Sequence, residues 1–554
     1  MKKRYFICFT LFLGILLGCE EDRLDKKPLT AVTPEDYFQK PNDFKIYMNQ
    51  FYDDLGGYGS WGVGYLDDDA GTDNLVRHEP SFRLDGLLTQ PVSDGDWSDC
   101  YRKIRGINYL LDRAEEFDPE EIQEYLGEAR FFRAWYYFKL LKKFGGVPWI
   151  DRVIDPEDTE ALTTPRTSRD ELAEHMVDDL DFAIDRLPEK SKAEQFRVNK
   201  EAALAFKSRF CLYEGTWEKY HGKKGTPFQV DGADGTYFLQ EAMNAALEVI
   251  NSGNFTLDKN GDEPYNHLFN REDYSSSTEV ILWRQHIRGL GNQNVTQMMR
   301  YGYTWGATSD LINAYLCTDG LPVALTSETI SDYSPQDLVE NRDPRCAQSI
   351  FYLGVPFEID DLGDGSVTPF IVGQLLKTKT GLQQRKGYSP LASNLQTNMD
   401  QLAYIYFRYG EVLLNYIEAK AELAESGLET LTQNDFDISI NKLRDRVDMI
   451  HFNYGEPYDD PDNLMTGLPW YLVEVRRERR VELAMEGFRL DDILRWAAAD
   501  ELIEGRIFRG ISAQYYLDEG FYTREQIDAF MDEDDYLSPW HNTGIDRGRT
   551  VVKP

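Results

Sequence analysis

The chain has 554 residues, enough to bury a large core in one large fold or in two or three domains. Its 60 lysines and arginines stand against 96 aspartates and glutamates, a formal net charge of −36, which makes nucleic acid and anionic lipid poor partners for its surface. Aromatic residues make up 13% of the chain, more than a helical core usually requires, so we expect some of them to face a ligand.

The first segment has the pattern of an export signal. Three cationic residues at 2–4 precede an apolar run at 5–17, which is shorter than the ~20 apolar residues of a membrane-spanning helix. The run ends in LLGC at 16–19, which resembles the lipobox of bacterial lipoproteins. That resemblance implies removal of residues 1–18 and a lipid anchor on Cys19, and the acidic residues after it resemble a tag for the outside of the outer membrane. The alternative is a secreted protein whose signal happens to contain a cysteine.

Residues 19–40 are predicted to form a tether, and long helical patterns follow it. The stretch GEARFFRAWYYFKLLKKFGGVP, at 127–148, has apolar residues at spacings of three and four and ends in two glycines and a proline, which are helix stop signals. Two more helices are predicted at 199–220 and 239–250. Cys211 lies in an apolar helical pattern and is expected to be a small core residue.

Between about 255 and 400 the sequence changes to short apolar runs broken by Gly, Pro, Asn and Asp, which predicts loops, turns and a few strands. Tyr301, Tyr303 and Trp305 lie two residues apart, just before a helix predicted to begin near 309 or 310, and an extended backbone would place all three side chains on one side. Rigid aromatic rings can stack on sugar rings at low entropic cost, so these residues are candidate glycan contacts. The alternative is a hydrophobic plug that packs the loop onto the helices.

The C-terminal part returns to helices. The stretch RYGEVLLNYIEAKAELAESG, at 408–427, has two apolar faces, which predicts a helix covered on both sides, as in stacked helix pairs of the tetratricopeptide type. Its polar strip consists of Glu411, Asn415, Glu418 and Glu422. A later stretch carries Glu474, Glu478, Glu482 and Glu486 beside Arg476 and Arg480, and we expect these charges to pair with one another and with the polar strip as a scaffold network, not as a catalytic site.

Motifs of catalysis and metal binding are missing from the sequence. There is no nucleophile elbow, no H-E-x-x-H and no P-loop, so no catalytic residue is predicted. Histidine and cysteine spacings predict neither zinc nor a disulfide framework. The stretches 258–262 and 360–365 only partly match a calcium loop and are predicted to be turns. No cofactor is therefore predicted. Calcium binding stays possible, but the sequence does not locate a site for it.

Several of these motifs, in this order, resemble the SusD/RagB-like family of outer-membrane nutrient-binding lipoproteins. They are the lipobox, DWSDCYRKIRGIN, GEARFFRAWYYFKLLKKFGGVP, RDPR at 342–345, RYGEVLLNYIEAKAE and RRERRVELAMEGFRLDDILRW. The resemblance covers nearly the whole chain. It implies a mainly α fold, in which four tetratricopeptide-like helix pairs form a scaffold for a less regular, loop-rich ligand-binding part.

The resemblance also implies the domain organisation. After the signal at 1–18 and the lipidated tether at 19–40, residues 41–554 would form one SusD-like domain. Its helical scaffold would lie mainly at 97–253 and 404–498, and its binding part mainly at 255–400 with a contribution from 55–96.

A second candidate binding segment follows from the resemblance. GTDNL at 71–75 resembles the polar segment beside the family's sugar site, which makes Asp73 and Asn74 candidate contacts, and Trp61 lies in the same glycine-rich and aromatic stretch. In starch-binding relatives a tryptophan follows, whereas this chain has Arg77 and His78, which puts starch in doubt and favours a ligand with carboxylates or many hydroxyls. Each of these residues could equally be ordinary surface.

The function implied is non-enzymatic. The lipoprotein would bind oligosaccharides on the outside of the outer membrane and deliver them to a partner, a SusC-like TonB-dependent transporter over which it lies as a lid. The alternatives are a surface binder of peptides or another nutrient, including a peptide-binding helical solenoid, and a surface glycoside hydrolase.

Overall fold

The computed structural model describes residues 37–77, 81, 88–89, 91–301, 305–331, 334–371, 378, 380–511, 513–520 and 523–525. The predicted export signal, Cys19 and nearly all of the predicted tether lie outside the described residues. In the part of the chain that the structure describes, every helix is too short or too polar to cross a membrane.

Helices dominate the first half of the described chain, which confirms the predicted mainly α fold. They are α1 (Pro41–Tyr52), α2 (Gly95–Ala114), α3 (Pro119–Phe144), α4 (Arg169–Arg186), α5 (Lys200–Lys224), α6 (Thr236–Ser252) and α7 (Pro264–Leu268), with strand β1 (Leu75–Arg77) between α1 and α2.

The second half is less regular until the long helices return. Its first elements are β2 (Val280–Arg284), α8 (Val295–Tyr301), β3 (Trp305–Ala307), α9 (Ser309–Ala314), α10 (Pro344–Ser349), β4 (Pro356–Ile359) and β5 (Val367–Pro369). They are followed by β6 (Tyr404–Arg408), α11 (Tyr409–Glu425), α12 (Gln433–Asp437), α13 (Ile440–Asp445), α14 (Trp470–Glu482), α15 (Arg489–Arg495), α16 (Ala499–Leu502) and α17 (Ala513–Asp518).

Local capping signals set the helix boundaries. The Asn199 side chain accepts a hydrogen bond from the backbone N–H of Ala202 and so starts α5, which ends at Gly225 in the left-handed conformation. Helix α3 begins with proline after Asp118, whose carboxylate accepts from a first-turn N–H. The helices predicted from these patterns are therefore confirmed, with α5 and α6 a few residues longer than predicted.

The long helices stack in sequence order. Helix α2 packs on α3, α3 on α4, α4 on α5 and α5 on α6, after which α6 packs on α11 and α11 on α14. Helix α11 buries side chains on both of its faces, as its sequence predicts. Because each helix covers its neighbours, the array forms one continuous apolar core and provides a rigid frame.

The polar strip of α11 is also buried, and cations neutralise it. Glu411 pairs with Arg209 at 2.6 Å, Glu422 pairs with Arg476 of α14 at 2.9 Å, and Arg479 donates to Asn415 at 2.8 Å. The predicted ion pairing between these two helices is confirmed. Helix α14 stops at Glu482, so Glu486 lies beyond it and contacts Arg408 at 2.7 Å.

Glu482 joins the loop-rich part to the scaffold. Its buried carboxylate contacts Arg345 of α10 at 3.0 Å, Arg408 of β6 at 2.8 Å and Arg446 after α13. These arginines hold the pKa of Glu482 far below its usual value, although burial acts in the opposite direction. Four separate segments therefore meet at one carboxylate.

Three two-stranded antiparallel sheets lie in the less regular part of the described chain. Strand β2 pairs with β6, β4 pairs with β5 and β1 pairs with β3. Strand β6 runs directly into α11, so the β2–β6 sheet rests on the helical frame. A second apolar core, separate from that of the long helices, lies beneath β1, β3 and α9.

Candidate ligand-binding site

The β1–β3 pair brings the two predicted binding segments together. Arg77 lies opposite Trp305, and Leu75 lies opposite Ala307. Beyond this end of the pair, the chain leaves the described residues at 78–80 and 302–304. We call the end of the pair that carries Arg77 and Trp305, together with the 57–67 loop that contacts it, the ribbon site.

Arg77 is the charged residue of the ribbon site that solvent reaches. Its side chain is 46% exposed, and its guanidinium contacts the Asp67 carboxylate at 2.8 Å. Burial raises the pKa of Asp67, and Arg77 opposes that shift. In the neighbouring Asp68, burial and the charges of Asp67 and Asp69 raise the pKa to about 6. Arg77 is thus held at the edge of an acidic turn but stays accessible.

Trp305 is buried, with 5% of its surface exposed. Its indole N–H donates to the Gln384 side-chain oxygen at 2.9 Å, and its ring belongs to the second apolar core. Its neighbour Gly306 lies so close to Thr378 and Thr380 that an added Cβ would clash with the Thr380 side chain. In this arrangement the indole faces are covered, as in the plug alternative, and the ring anchors the residues on either side of it.

Asp73 and Asn74 are also buried, just before β1. Arg489 donates two hydrogen bonds to the Asp73 carboxylate, both at 2.7 Å, and Arg480 contacts the same carboxylate at 3.1 Å. Although burial alone would raise it, these arginines lower the pKa of Asp73 to about 2. The Asn74 amide donates to Asp69 and accepts from Arg480. The polar atoms of both side chains are therefore used inside the protein, where they fix the start of β1.

Trp61 is the exposed aromatic residue of the 57–67 loop. It is 54% exposed, and the adjacent Ser60 carbonyl accepts a hydrogen bond from the Asn294 side chain at 2.8 Å. Tyr58 in the same loop packs edge-on against Tyr404 at 4.9 Å between ring centres. The loop is thus fixed at two points while the indole of Trp61 stays open to solvent.

The remaining predicted contacts lie at the limit of the described residues. Tyr301 is the last residue of α8, so the extended backbone predicted from 301 to 305 is wrong at its first position. The Tyr301 side chain, and all of Tyr303 and His78, lie outside the described residues. They remain predicted ligand contacts.

The acidic stretches considered for calcium have partners within the fold. Asp258 accepts from Arg271 at 2.6 Å and from Ser277 at 2.8 Å, and 360–365 form most of the loop between β4 and β5. Elsewhere, Cys317, Asp319 and Glu328 place potential ligand atoms within 4.8 Å of one another, but both carboxylates already accept from threonine hydroxyls. In the described part of the chain Cys100, Cys211, Cys317 and Cys346 are buried and form no disulfide, and Cys211 is a core residue as predicted.

The local sequence does not identify the partners that fix the site. Arg489 and Arg480 hold Asp73, and Gln384 holds the Trp305 indole, from positions far along the chain. Both arginines belong to the charged C-terminal motif, and the high density of charge in that motif is plain from the sequence. Nothing near them in the sequence identifies Asp73 as their partner. Asp67 is one of three consecutive acids at 67–69, and nothing in the local sequence identifies it as the partner of Arg77.

Two family models match the chain. The model described as the SusD family matches residues 266–553, and one described as starch-binding associating with outer membrane matches residues 87–212.

Individual proteins are similar over most of their length. SusD-like protein P2 of Formosa agariphila is 24% identical over 525 residues, which cover 90% of this chain and 92% of that protein. A crystal structure of a SusD-like carbohydrate binding protein from Bacteroides fragilis superposes with a TM-score of 0.66 and 22% identity, covering 93% of this chain and 94% of the other. A further structure, solved with a xylogluco-oligosaccharide, has a TM-score of 0.54 and 17% identity and covers 82% of each chain.

Proposed function

The chain belongs to the SusD family, and from this membership we propose that it is a non-enzymatic binding protein that captures oligosaccharides at the cell surface. A carbohydrate-binding relative and a neighbour solved with a xylogluco-oligosaccharide support the class of ligand. The ligand would lie on the ribbon site. No catalytic residue is assigned.

One observation carries the proposal: Arg77 and Trp305 are opposite one another on adjacent strands. The segment that contains Trp305 is rich in aromatic residues, and the segment that contains Arg77 follows GTDNL, which resembles the polar segment beside the family's sugar site. A glycan site needs both kinds of side chain, because rings cover the apolar faces of the sugar while polar groups bond its hydroxyls. In the fold the two segments contribute the paired strands β1 and β3, with Arg77 and Trp305 at the same end of the pair.

We assign different roles to the predicted residues according to their exposure. Trp61 would stack on a sugar ring, and Arg77 would donate to hydroxyl or carboxylate oxygens, because both side chains are open to solvent. Tyr301, Tyr303 and His78 stay in the proposal as direct contacts. The buried residues Trp305, Asp73 and Asn74 would instead hold the strands in place and keep the exposed groups oriented.

The proposed setting follows the family and the N-terminal sequence. Cys19 would carry a lipid anchor in the outer membrane, and residues 41–554 would form one domain facing outward. A SusC-like TonB-dependent transporter would receive the oligosaccharide from it. The second family model, described as associating with the outer membrane, supports this location.

Calorimetric titration tests the proposal. The soluble form starting at Glu20 would be titrated with neutral and acidic oligosaccharides, xylogluco-oligosaccharides among them. We expect saturable binding of at least one class of glycan. Binding of peptides in place of every glycan on the panel would contradict the proposal.

A further inference from the structure

A cavity of about 430 Å³ lies between helices α9, α14 and α15 and the loop 460–465. Five arginines line it, which is unusual in a chain with a net charge of −36. They are Arg476, Arg477 and Arg480 of α14, Arg489 of α15, and Arg506. The opposite wall is made by α9 and the loop 460–465. We call this cavity the arginine pocket.

The arginine pocket is distinct from the ribbon site. Asp73 lies behind the pocket, between Arg480 and Arg489, and it precedes Arg77 by four residues. Neither Arg77 nor any residue of the 57–67 loop lines the arginine pocket, so a ligand in the pocket would contact neither Arg77 nor Trp61.

Some arginines of the pocket are balanced by acids. Arg506 pairs with Asp310 at 2.7 Å, and Arg477 pairs with Glu474 at 2.9 Å and with Asp460. These pairs fix the guanidinium groups at the wall. They leave the interior of the pocket open.

Arg480 and Arg489 are not balanced one to one, because they share the single carboxylate of Asp73. Burial lowers the pKa of Arg480 to about 10, and the nearby charges of Arg489 and Arg506 contribute to that shift, which Asp73 opposes. Arg480 stays charged at neutral pH. Burial lowers the pKa of Arg489 as well, but Asp73, with Asp492 and Asp69 contributing, raises it overall, so the two guanidinium groups share one carboxylate in different surroundings.

Arg476 gives an independent sign of incomplete pairing. Its side chain is 2% exposed, yet its Nε is buried without a hydrogen-bonding partner in the described part of the chain. One Nη donates to Glu422 at 2.9 Å, whereas the other reaches only the weak acceptor Sδ of Met465 at 3.6 Å. The Arg476 guanidinium also lies over the Trp496 ring at 4.2 Å, so one carboxylate and one aromatic ring hold it at the wall of the pocket.

We propose that the arginine pocket binds a small hydroxylated carboxylic acid, of the size of one or two hexuronic acid rings. Guanidinium groups match the geometry of a carboxylate, and the exposed carboxylate of Asp462 can accept hydroxyl protons. Val323, Leu464 and Leu502 provide apolar contact for the faces of a sugar ring. The cavity exceeds the size of an inorganic anion and lies within the range of roughly 300–1,000 Å³ typical of small-molecule sites.

Titration of the form starting at Glu20 with sodium D-glucuronate, D-glucose and sodium sulfate tests the proposal. We expect saturable glucuronate binding that weakens with added salt, no binding of glucose, and sulfate affinity at least about tenfold lower. The absence of glucuronate binding at millimolar concentrations would overturn the proposal. Sulfate binding as tight as that of glucuronate would overturn the assignment to a hydroxylated acid.

Leu464 offers a matched pair of variants, because it lines the pocket, lies in a loop and is 41% exposed. Leu464→Glu adds a negative charge beside the arginines and should weaken glucuronate binding about tenfold or more. Leu464→Gln introduces a side chain of the same shape as glutamate without the charge, and it should change glucuronate binding less than about twofold. Equal effects of the two variants would overturn the proposal. Trp61→Ala should leave glucuronate binding unchanged, so failure of the ribbon site and failure of the arginine pocket are distinguishable.

Discussion

Arg77 faces Trp305 across the β1–β3 sheet, and the two side chains have opposite environments. The arginine is half exposed at the edge of an acidic turn, while the tryptophan is enclosed in the second apolar core. The sheet thus pairs a buried anchor on one strand with an exposed charged group at the opposite position of the other strand. In the proposed glycan site, this anchor would hold the strand that carries Arg77 in place before the ligand arrives, which would lower the entropic cost of binding.

Trp305→Ala should reduce stability before it reduces affinity. It would remove a buried ring and leave the Gln384 oxygen without its donor, so we expect a loss of about 3–5 kcal/mol in the free energy of unfolding. Urea denaturation followed by circular dichroism measures this loss. Trp305→Phe keeps most of the apolar contact and should cost less than half as much. A fully stable Trp305→Ala protein would contradict the anchoring role.

Glu482→Gln should be among the most damaging single changes in the chain. Three buried arginines from three other segments contact this carboxylate, and the neutral amide would leave their charges under-compensated. We expect a loss of about 3–5 kcal/mol in the free energy of unfolding, because breaking a buried ion pair costs about that much. Asp99→Asn removes one acid from the exposed Asp99–Arg102 pair and should cost less than about 1 kcal/mol. Similar losses in both variants would contradict the role of Glu482 in joining the loop-rich part to the helical scaffold.

Glu218 should make the protein less stable at alkaline pH. Burial raises the pKa of its carboxyl from 4.5 to about 8, with Glu214 and Asp170 adding to the shift, and one of its oxygens lacks a hydrogen-bonding partner in the described part of the chain. Between pH 4.5 and 8 the folded protein keeps a proton that the unfolded chain has lost, so stability falls as pH rises through this window.

The substitution Glu218→Gln removes this titration. The variant should become more stable than the natural protein as pH rises from 5 to 9, by a few kcal/mol at the upper end. Thermal unfolding at a series of pH values measures the difference. Glu174→Gln, at an exposed position of α4, is the control and should follow the natural protein. A difference that does not change with pH would show that Glu218 ionises normally.

Local signals explain why the scaffold could be predicted. Helix α5 starts at an asparagine cap and ends at a left-handed glycine, and α11 shows its two covered faces as apolar stripes. These features depend on residues within one or two helical turns, so the sequence alone displays them.

The site could be predicted only in part, because its geometry depends on distant partners. The two segments can be recognised in the sequence, but the burial of Trp305 requires Gln384, and that of Asp73 requires Arg489. No local pattern reveals that an aromatic residue in a glycine-rich loop will enter a strand and a core. The spacing of the aromatic residues likewise predicts extended backbone at Tyr301, where the structure has the end of helix α8.

Calorimetric titration of Trp61→Ala with the glycan that the natural protein binds best would show whether the ribbon site holds the sugar. Trp61 is 54% exposed, so its loss should change the free energy of unfolding by no more than about 0.5 kcal/mol. Phe228→Ala is a matched control, since Phe228 is 63% exposed and lies beside Trp217 of the helical scaffold. We predict that Trp61→Ala weakens glycan binding about tenfold or more while Phe228→Ala leaves it unchanged. A Trp61→Ala protein with natural affinity would contradict the assignment of the ribbon site as the glycan-binding surface.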